Sequence, residues 1–110
     1  MTKYLTQSLY SAEGLKGLIK EGGSARKEAI AKAFATLGGR VEAFYFAFGT
    51  DDLFMIVDLP DNVSAAAASL IANASGASKY HMTVLISPEE MDQAAKVAQE
   101  MMPAYRAPGR

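Results

Sequence analysis

The stretch Arg40–Leu59 constrains this chain more than any other. It reads RVEAFYFAFGTDDLFMIVDL, two apolar runs around a Gly-Thr-Asp-Asp break. Aromatic and β-branched residues bracketing a short polar turn predict a β-hairpin. Both runs are apolar at odd and even positions alike. Phe44, Phe46 and Phe48 alternate with Val41, Ala43, Tyr45 and Ala47, and Leu53, Met55 and Val57 alternate with Phe54 and Ile56. A hairpin with one wet face alternates apolar and polar instead. Something must therefore cover each face, and one chain's helices can cover only one.

The remaining segments supply those helices and two more strands. Lys3–Tyr10 (KYLTQSLY) alternates as a strand, with Leu5 and Leu9 on one face and Tyr4, Thr6, Ser8 and Tyr10 on the other. Ser11 is placed to cap a short helix over Ala12–Lys20, weakened by Gly14 and Gly17. Gly14 also stands where a capping box needs Glu or Gln. Gly22-Gly23 breaks this helix, and Ser24 can cap a second one over Ala25–Leu37, which Gly38-Gly39 stops. After the hairpin, Pro60 ends the strand and Asp61 or Asn62 caps an alanine-rich helix over Val63–Ala74. Lys79–Ile86 (KYHMTVLI) is the last strand. Ser87-Pro88-Glu89-Glu90 then opens a final helix reaching about Met102.

Strand, helix, strand, strand, helix, strand is the split βαβ, ferredoxin-like order. The expected fold class is α+β: a four-stranded antiparallel sheet with helices on one face and an extra C-terminal helix. Residues 1–102 form the expected domain and 103–110 a tail. If Leu5 and Leu9 meet the helices, the bare face carries Tyr4, Thr6, Ser8, Tyr10, His81 and Thr83, plus one set from the hairpin. Such a face is too apolar and aromatic for water. A face-to-face stack of two sheets, a dimeric α+β barrel, would bury it. The expected partner is thus a second copy, in a homodimer or a higher even-numbered oligomer.

Composition narrows the function classes. The 11 Lys and Arg nearly balance the 12 Asp and Glu, without the basic excess of a general nucleic-acid binder. With no cysteine, disulfides, thiolate metal sites and a cysteine nucleophile are excluded. No apolar signal core or membrane-length segment is evident, so the expected location is the cytoplasm. Asn62-Val63-Ser64 and Asn73-Ala74-Ser75 match the glycosylation pattern and are read as chance.

Several segments together resemble the GYD-domain family: YSAEGLKGLIKEGG (Tyr10–Gly23), EAFYFAFG (Glu42–Gly49), VDLPDN (Val57–Asn62) and Ala74-Ser75-Gly76. Gly49 matches the glycine of the family's name motif and Asp52 its aspartate. Asp51 occupies the tyrosine position, so that signature is incomplete. The resemblance runs from the first strand to roughly Glu90. It implies a ferredoxin-like domain of the α+β-barrel type and brings no catalytic set with it. The same fold hosts cofactor-free monooxygenases, isomerases, haem proteins and small-molecule sensors, so fold alone does not choose among them.

Each candidate site has a functional and a plain reading. His81, the single histidine, is a general base or axial haem ligand sharing a cavity with Tyr4, Thr6, Tyr10 and Tyr45, or a hydrogen-bonded residue of a subunit interface. One His without Cys makes a poor metal site, so no metal is expected; no cofactor is expected beyond the haem reading. Gly22, Gly23, Ser24 and Arg26, with Lys27, open a helix and form an anion site, or a solvated helix break. Asp51 and Asp52 are an acid pair or, more simply, turn residues. Glu42, on the Phe44 side by strict alternation, is a base with a raised pKa or an edge residue in water. Met91, Met101 and Met102 give the last helix an adaptable surface, and Tyr105-Arg106 can clasp a partner or hang free. The leading expectation is a self-associating small-molecule-binding protein with its pocket at or near the sheet interface. A cofactor-free oxygenase or isomerase using His81 and a purely structural assembly protein are the alternatives.

Overall fold

A computed structural model describes residues Met1–Arg110. Strand β1 (Thr2–Tyr10) leads into helices α1 (Ala12–Glu21) and α2 (Gly23–Thr36). The hairpin strands β2 (Arg40–Phe46) and β3 (Leu53–Leu59) follow, then α3 (Asn62–Ala74), β4 (Ser78–Leu85), α4 (Pro88–Met101) and a 3-10 turn, Met102–Ala104. The strands form one antiparallel sheet in the order β2-β3-β1-β4, the ferredoxin-like arrangement expected from the element order.

Local signals explain most boundaries. Ser11 accepts from the Gly14 amide at 3.1 Å and so caps α1. Gly22, at φ 82°, both ends α1 and precedes α2, so one glycine makes the break in the crossover. Ser24 lies inside α2 and does not cap it, contrary to expectation, because the helix starts at Gly23, two residues earlier than Ala25. Asp61 caps α3 by accepting from the Ser64 amide at 2.9 Å, and this holds its carboxyl below the usual range. Ser87 and Glu90 complete a reciprocal capping box at α4.

The sheet is inverted relative to the expectation drawn from Leu5 and Leu9. Tyr4, Thr6 and Ser8 are buried under the helices, with Leu53, Met55 and Val57 of β3 directly beside them. Leu5, Gln7 and Leu9 lie on the open face, beside Ile56 and Phe54 on one flank and Thr83, His81 and Lys79 on the other. Of the hairpin aromatics, Phe44 and Phe46 turn to the helix side and touch edge to face at 5.3 Å, while Tyr45 faces out. Phe48 lies beyond β2 and is wholly exposed.

Charges gather at one end of the open face. Lys3 Nζ donates to Asp58 Oδ1 at 2.9 Å and to Glu42 Oε2 at 2.7 Å, and Arg40 Nη2 donates to Asp58 Oδ2 at 3.0 Å. The Lys3 ammonium beside Asp58 lowers that carboxyl's pKa, with burial opposing it and Arg40 reinforcing it. Glu42 joins this cluster because the register slips between Val41 and Ala43. The bulge moves Glu42 off the Phe44 side, where strict alternation had put it, and no apolar wall surrounds its carboxylate.

Helix α4 stands apart. All of its residues are exposed, including Met91, Val97 and Met101. The chain extends 58 Å along its long axis with a radius of gyration of 17.6 Å, against about 13 Å for a compact chain of this length. No helix is long and apolar enough to cross a membrane.

Candidate functional site

The helix side of the sheet holds a cleft, and the strand order explains it. Helix α2 packs mainly on β2 and α3 on β4, the two edge strands. Above the central strands the two helices leave a cavity of about 400 Å³, within the size range of small-molecule sites. Arg26, Ile30 and Phe34 recur at helical spacing along α2 and, with Leu37 at its C-cap, form one wall. Ala68, Ile71, Ala72 and Ser75 form the α3 wall. Ser8, Leu53, Met55 and Tyr80 form the floor, and Tyr10 closes the end beside Arg26.

This apolar space has three polar atoms without partners at or near it. Tyr80 is buried, and its hydroxyl lies beside Thr6 Oγ1, yet neither atom completes a hydrogen bond. Burial pushes the Tyr80 phenol up to about 12, so it is a neutral hydroxyl across the physiological range. Arg26 Nε is also buried and unpartnered. The only ion pair of Arg26 is a long one, Nη1 to Glu21 Oε1 at 3.4 Å. Burial raises the Tyr10 phenol, and the nearby Arg26 charge partly offsets this. Arg26 is the one charged residue lining the cleft.

The proposed ligand set of Tyr4, Thr6, Tyr10, Tyr45 and His81 does not converge. Tyr4, Thr6 and Tyr10 belong to the helix side; Tyr45 and His81 belong to the open face. Tyr4 already donates to Asn62 Oδ1 at 2.7 Å, and Tyr10 alone of the five lines the cleft. His81 is exposed next to Gln7 and takes part in no ion pair. No cluster of His, Cys, Asp and Glu is arranged to hold a metal. Of the glycine-rich anion segment, Gly23 lies so close to the Phe46 ring that a Cβ there would come within 2.9 Å of it. The Gly22 amide donates to Leu18 O at 2.8 Å and is not free for an anion. Arg26 instead turns into the cleft.

The aspartates of the hairpin turn act as fasteners. Asp52 Oδ2 accepts from the Tyr10 amide at 2.9 Å, and Asp51 Oδ2 accepts from Gln7 Nε2 at 3.0 Å. Both tie the turn to the end of β1, which refines the turn reading and leaves no acid pair. In the sequence Asn73 carries only a glycosylation match. Its amide accepts from the Tyr80 N–H at 2.9 Å and donates to the Tyr80 carbonyl at 2.9 Å. It thereby pairs with edge strand β4 as a neighbouring strand would, and fixes α3 over the floor residue Tyr80. A lone Asn near a helix end carries no sequence signal for such a role.

No match was found among curated proteins or among solved structures. A family model does match, over residues 4–95, which covers the sheet from Tyr4 onward, the cleft and the first turns of α4. With this sheet, this crossover and that span of agreement, the chain belongs to the GYD domain family.

Proposed function

We propose that this protein is a self-associating small-molecule-binding domain whose ligand site is the cleft between α2 and α3. The observation that carries the reading is the cavity of about 400 Å³ itself: apolar walls, a polar end and a buried, unpartnered tyrosine hydroxyl in its floor. Binding sites are concave and mostly apolar, with a few polar groups that orient the ligand. This moves the pocket from the open sheet face to the helix side. A thermal-shift screen of organic acids and aromatics tests it, with Ala72→Leu as the filled-cleft comparison. Hits that disappear in Ala72→Leu support the site. No hit at all, or hits indifferent to that substitution, would sink it.

Self-association rests on a separate observation. The chain exposes 7790 Å², whereas a monomer of this size exposes about 5,900 Å². The excess of roughly 1,900 Å² exceeds what one partner contributes to a standard interface, about 800 Å². The open sheet face, with Leu9 and Tyr45, and the bare helix α4, with Met91, Val97 and Met101, are the surfaces left to cover. Two copies stacking their open faces would form the dimeric α+β barrel. Native mass spectrometry tests this reading: an even-numbered oligomer supports it, and a monomer at micromolar concentration removes it. His81 is on the open face of the sheet, opposite the cleft, so a cofactor-free oxygenase or isomerase using His81 would not draw on the cleft residues.

A further inference from the structure

We infer that the cleft takes an amphipathic monoanion, a carboxylic acid with a medium-length apolar body, and that Arg26 holds the carboxylate. This inference rests on the cleft being the ligand site and adds the class of ligand.

The charge pattern selects the anion. Arg26 is the one charged residue lining the cleft, and no carboxylate lines it. A guanidinium offers five N–H donors. Here Nε is buried without a partner, and the link from Nη1 to Glu21 is long at 3.4 Å. Donors are therefore in surplus at the one charged end of a mostly apolar space. A carboxylate matches a guanidinium's planar fork. Tyr10, at the same end, is a neutral phenol and can add a hydroxyl donor.

The apolar length follows from helix geometry. Arg26 and Leu37 bound the α2 wall, and eleven residues of helix rise about 16 Å. Beyond Arg26 the α2 side presents Ile30, Ala33, Phe34 and Leu37, with Thr36, whose hydroxyl donates to Ala33 O, as its one polar side chain, and the α3 side presents Ala68 and Ala72. A second charge on the ligand would have no partner there, and a buried unpaired charge is strongly disfavoured. The site thus suits one anionic head and one chain or ring system.

Octanoate and octan-1-ol separate the two claims, because they share an apolar body and differ in charge. Each is titrated into the full-length protein at neutral pH and followed by amide shifts in two-dimensional NMR. Both should move the amides of Ser8, Ala72 and Ser75, with octanoate about tenfold tighter, the value of one charge-assisted contact. Arg26→Met keeps the apolar stem and should bring octanoate down to the level of octan-1-ol, leaving octan-1-ol unchanged. Glu21→Gln removes the competing carboxylate and should tighten octanoate alone. Lys27→Met, an exposed charge next in sequence, should change neither. Equal affinities in the unaltered protein, or an octanoate preference that survives Arg26→Met, would overturn the anion while leaving the cleft as a site. If neither compound binds, both readings fall together. If dilution alone moves the cleft amides and octanoate does not, a second copy fills the cleft and the inference is wrong.

Discussion

The backbone amide of Tyr10 donates to the Asp52 carboxylate at 2.9 Å, joining the last residue of β1 to the turn of the hairpin. The Asp52 amide donates in turn to Ser8 O at 2.8 Å, so the turn is held at two points. A carboxylate on a backbone amide is a charge-assisted bond, and its removal leaves an orphaned donor. Asp52→Ala should lower unfolding stability by about 1–2 kcal/mol. Asp51→Ala, which loses only a side-chain contact to Gln7, should cost about 0.5 kcal/mol. Urea unfolding of the two variants checks the order; equal losses would show that the turn is not fastened through Asp52.

Two glycines of α1 should respond in opposite ways to alanine. A Cβ on Gly14 would collide with the Ala77 carbonyl, because α1 lies directly on the turn before β4. Gly17 has nothing within 4 Å of that position. Gly17→Ala should stabilise the protein by about 0.5–1 kcal/mol through helix propensity. Gly14→Ala should destabilise it despite the same propensity gain. Thermal unfolding of both variants decides, and a stabilised Gly14→Ala would mean that α1 does not lie against the Ala77 carbonyl.

Asn73 binds both backbone groups of Tyr80, so Asn73→Ala breaks two hydrogen bonds on an edge strand. The expected loss is about 2 kcal/mol. Amide exchange gives a sharper reading. The Tyr80 amide should lose protection in the variant while the β1 amides keep theirs; unchanged protection at Tyr80 would contradict the latch.

Tyr80 gives a prediction with the unusual sign. Its hydroxyl is buried without a partner, so Tyr80→Phe should leave stability at neutral pH unchanged or raise it by up to about 1 kcal/mol. The alkaline range supplies the second half. The folded phenol is pushed up to about 12 by burial, above an unfolded value of about 10. The unfolded chain therefore releases this proton first as pH rises. The contribution is whole below about pH 10 and is lost as pH climbs through the folded value. Unfolding from pH 8 to pH 12 should show a steeper loss in the unaltered protein than in Tyr80→Phe. Parallel curves would mean that Tyr80 is not buried.

Element order, the glycine break at Gly22 and the caps at Ser11, Asp61 and Ser87 were all readable in the chain, because each depends on local chemistry. The face of the sheet was not read correctly, since Leu5 and Leu9 look more buried than Thr6 and Ser8. Charge parity held the missing signal. Lys3 shares a face with Leu5, Asp58 with Ile56, and Lys79 with His81. The opposite parity of β1, β3 and β4 carries no charge at all. One lysine on a strand weighs more against burial than two leucines weigh for it, because an unpaired buried charge costs far more than an exposed leucine. The cleft was legible only in part. The alanines of α3 were plain, but the distance between α2 and α3 depends on which strands they sit on, a property of the sheet and not of either helix. Arg26 was picked out for a helix-terminus site, and the structure turns it toward the cleft.

Ala68 and Ala72 face the cleft as bare methyl groups on a helix tied to the sheet at its two ends, through Asn62, which accepts from the Tyr4 hydroxyl, and Asn73, which pairs with Tyr80. Ala68 and Ala72 also border the core, so a larger side chain at either position would take up cleft volume at the core's edge, and leucine forms helix nearly as well as alanine. Selection can therefore reset the length and breadth of the chamber one residue at a time, while the sheet and the fasteners stay as they are. In that sense α3 works as an adjustable gauge: its ends hold it to the sheet, and its middle sets the size of the cleft.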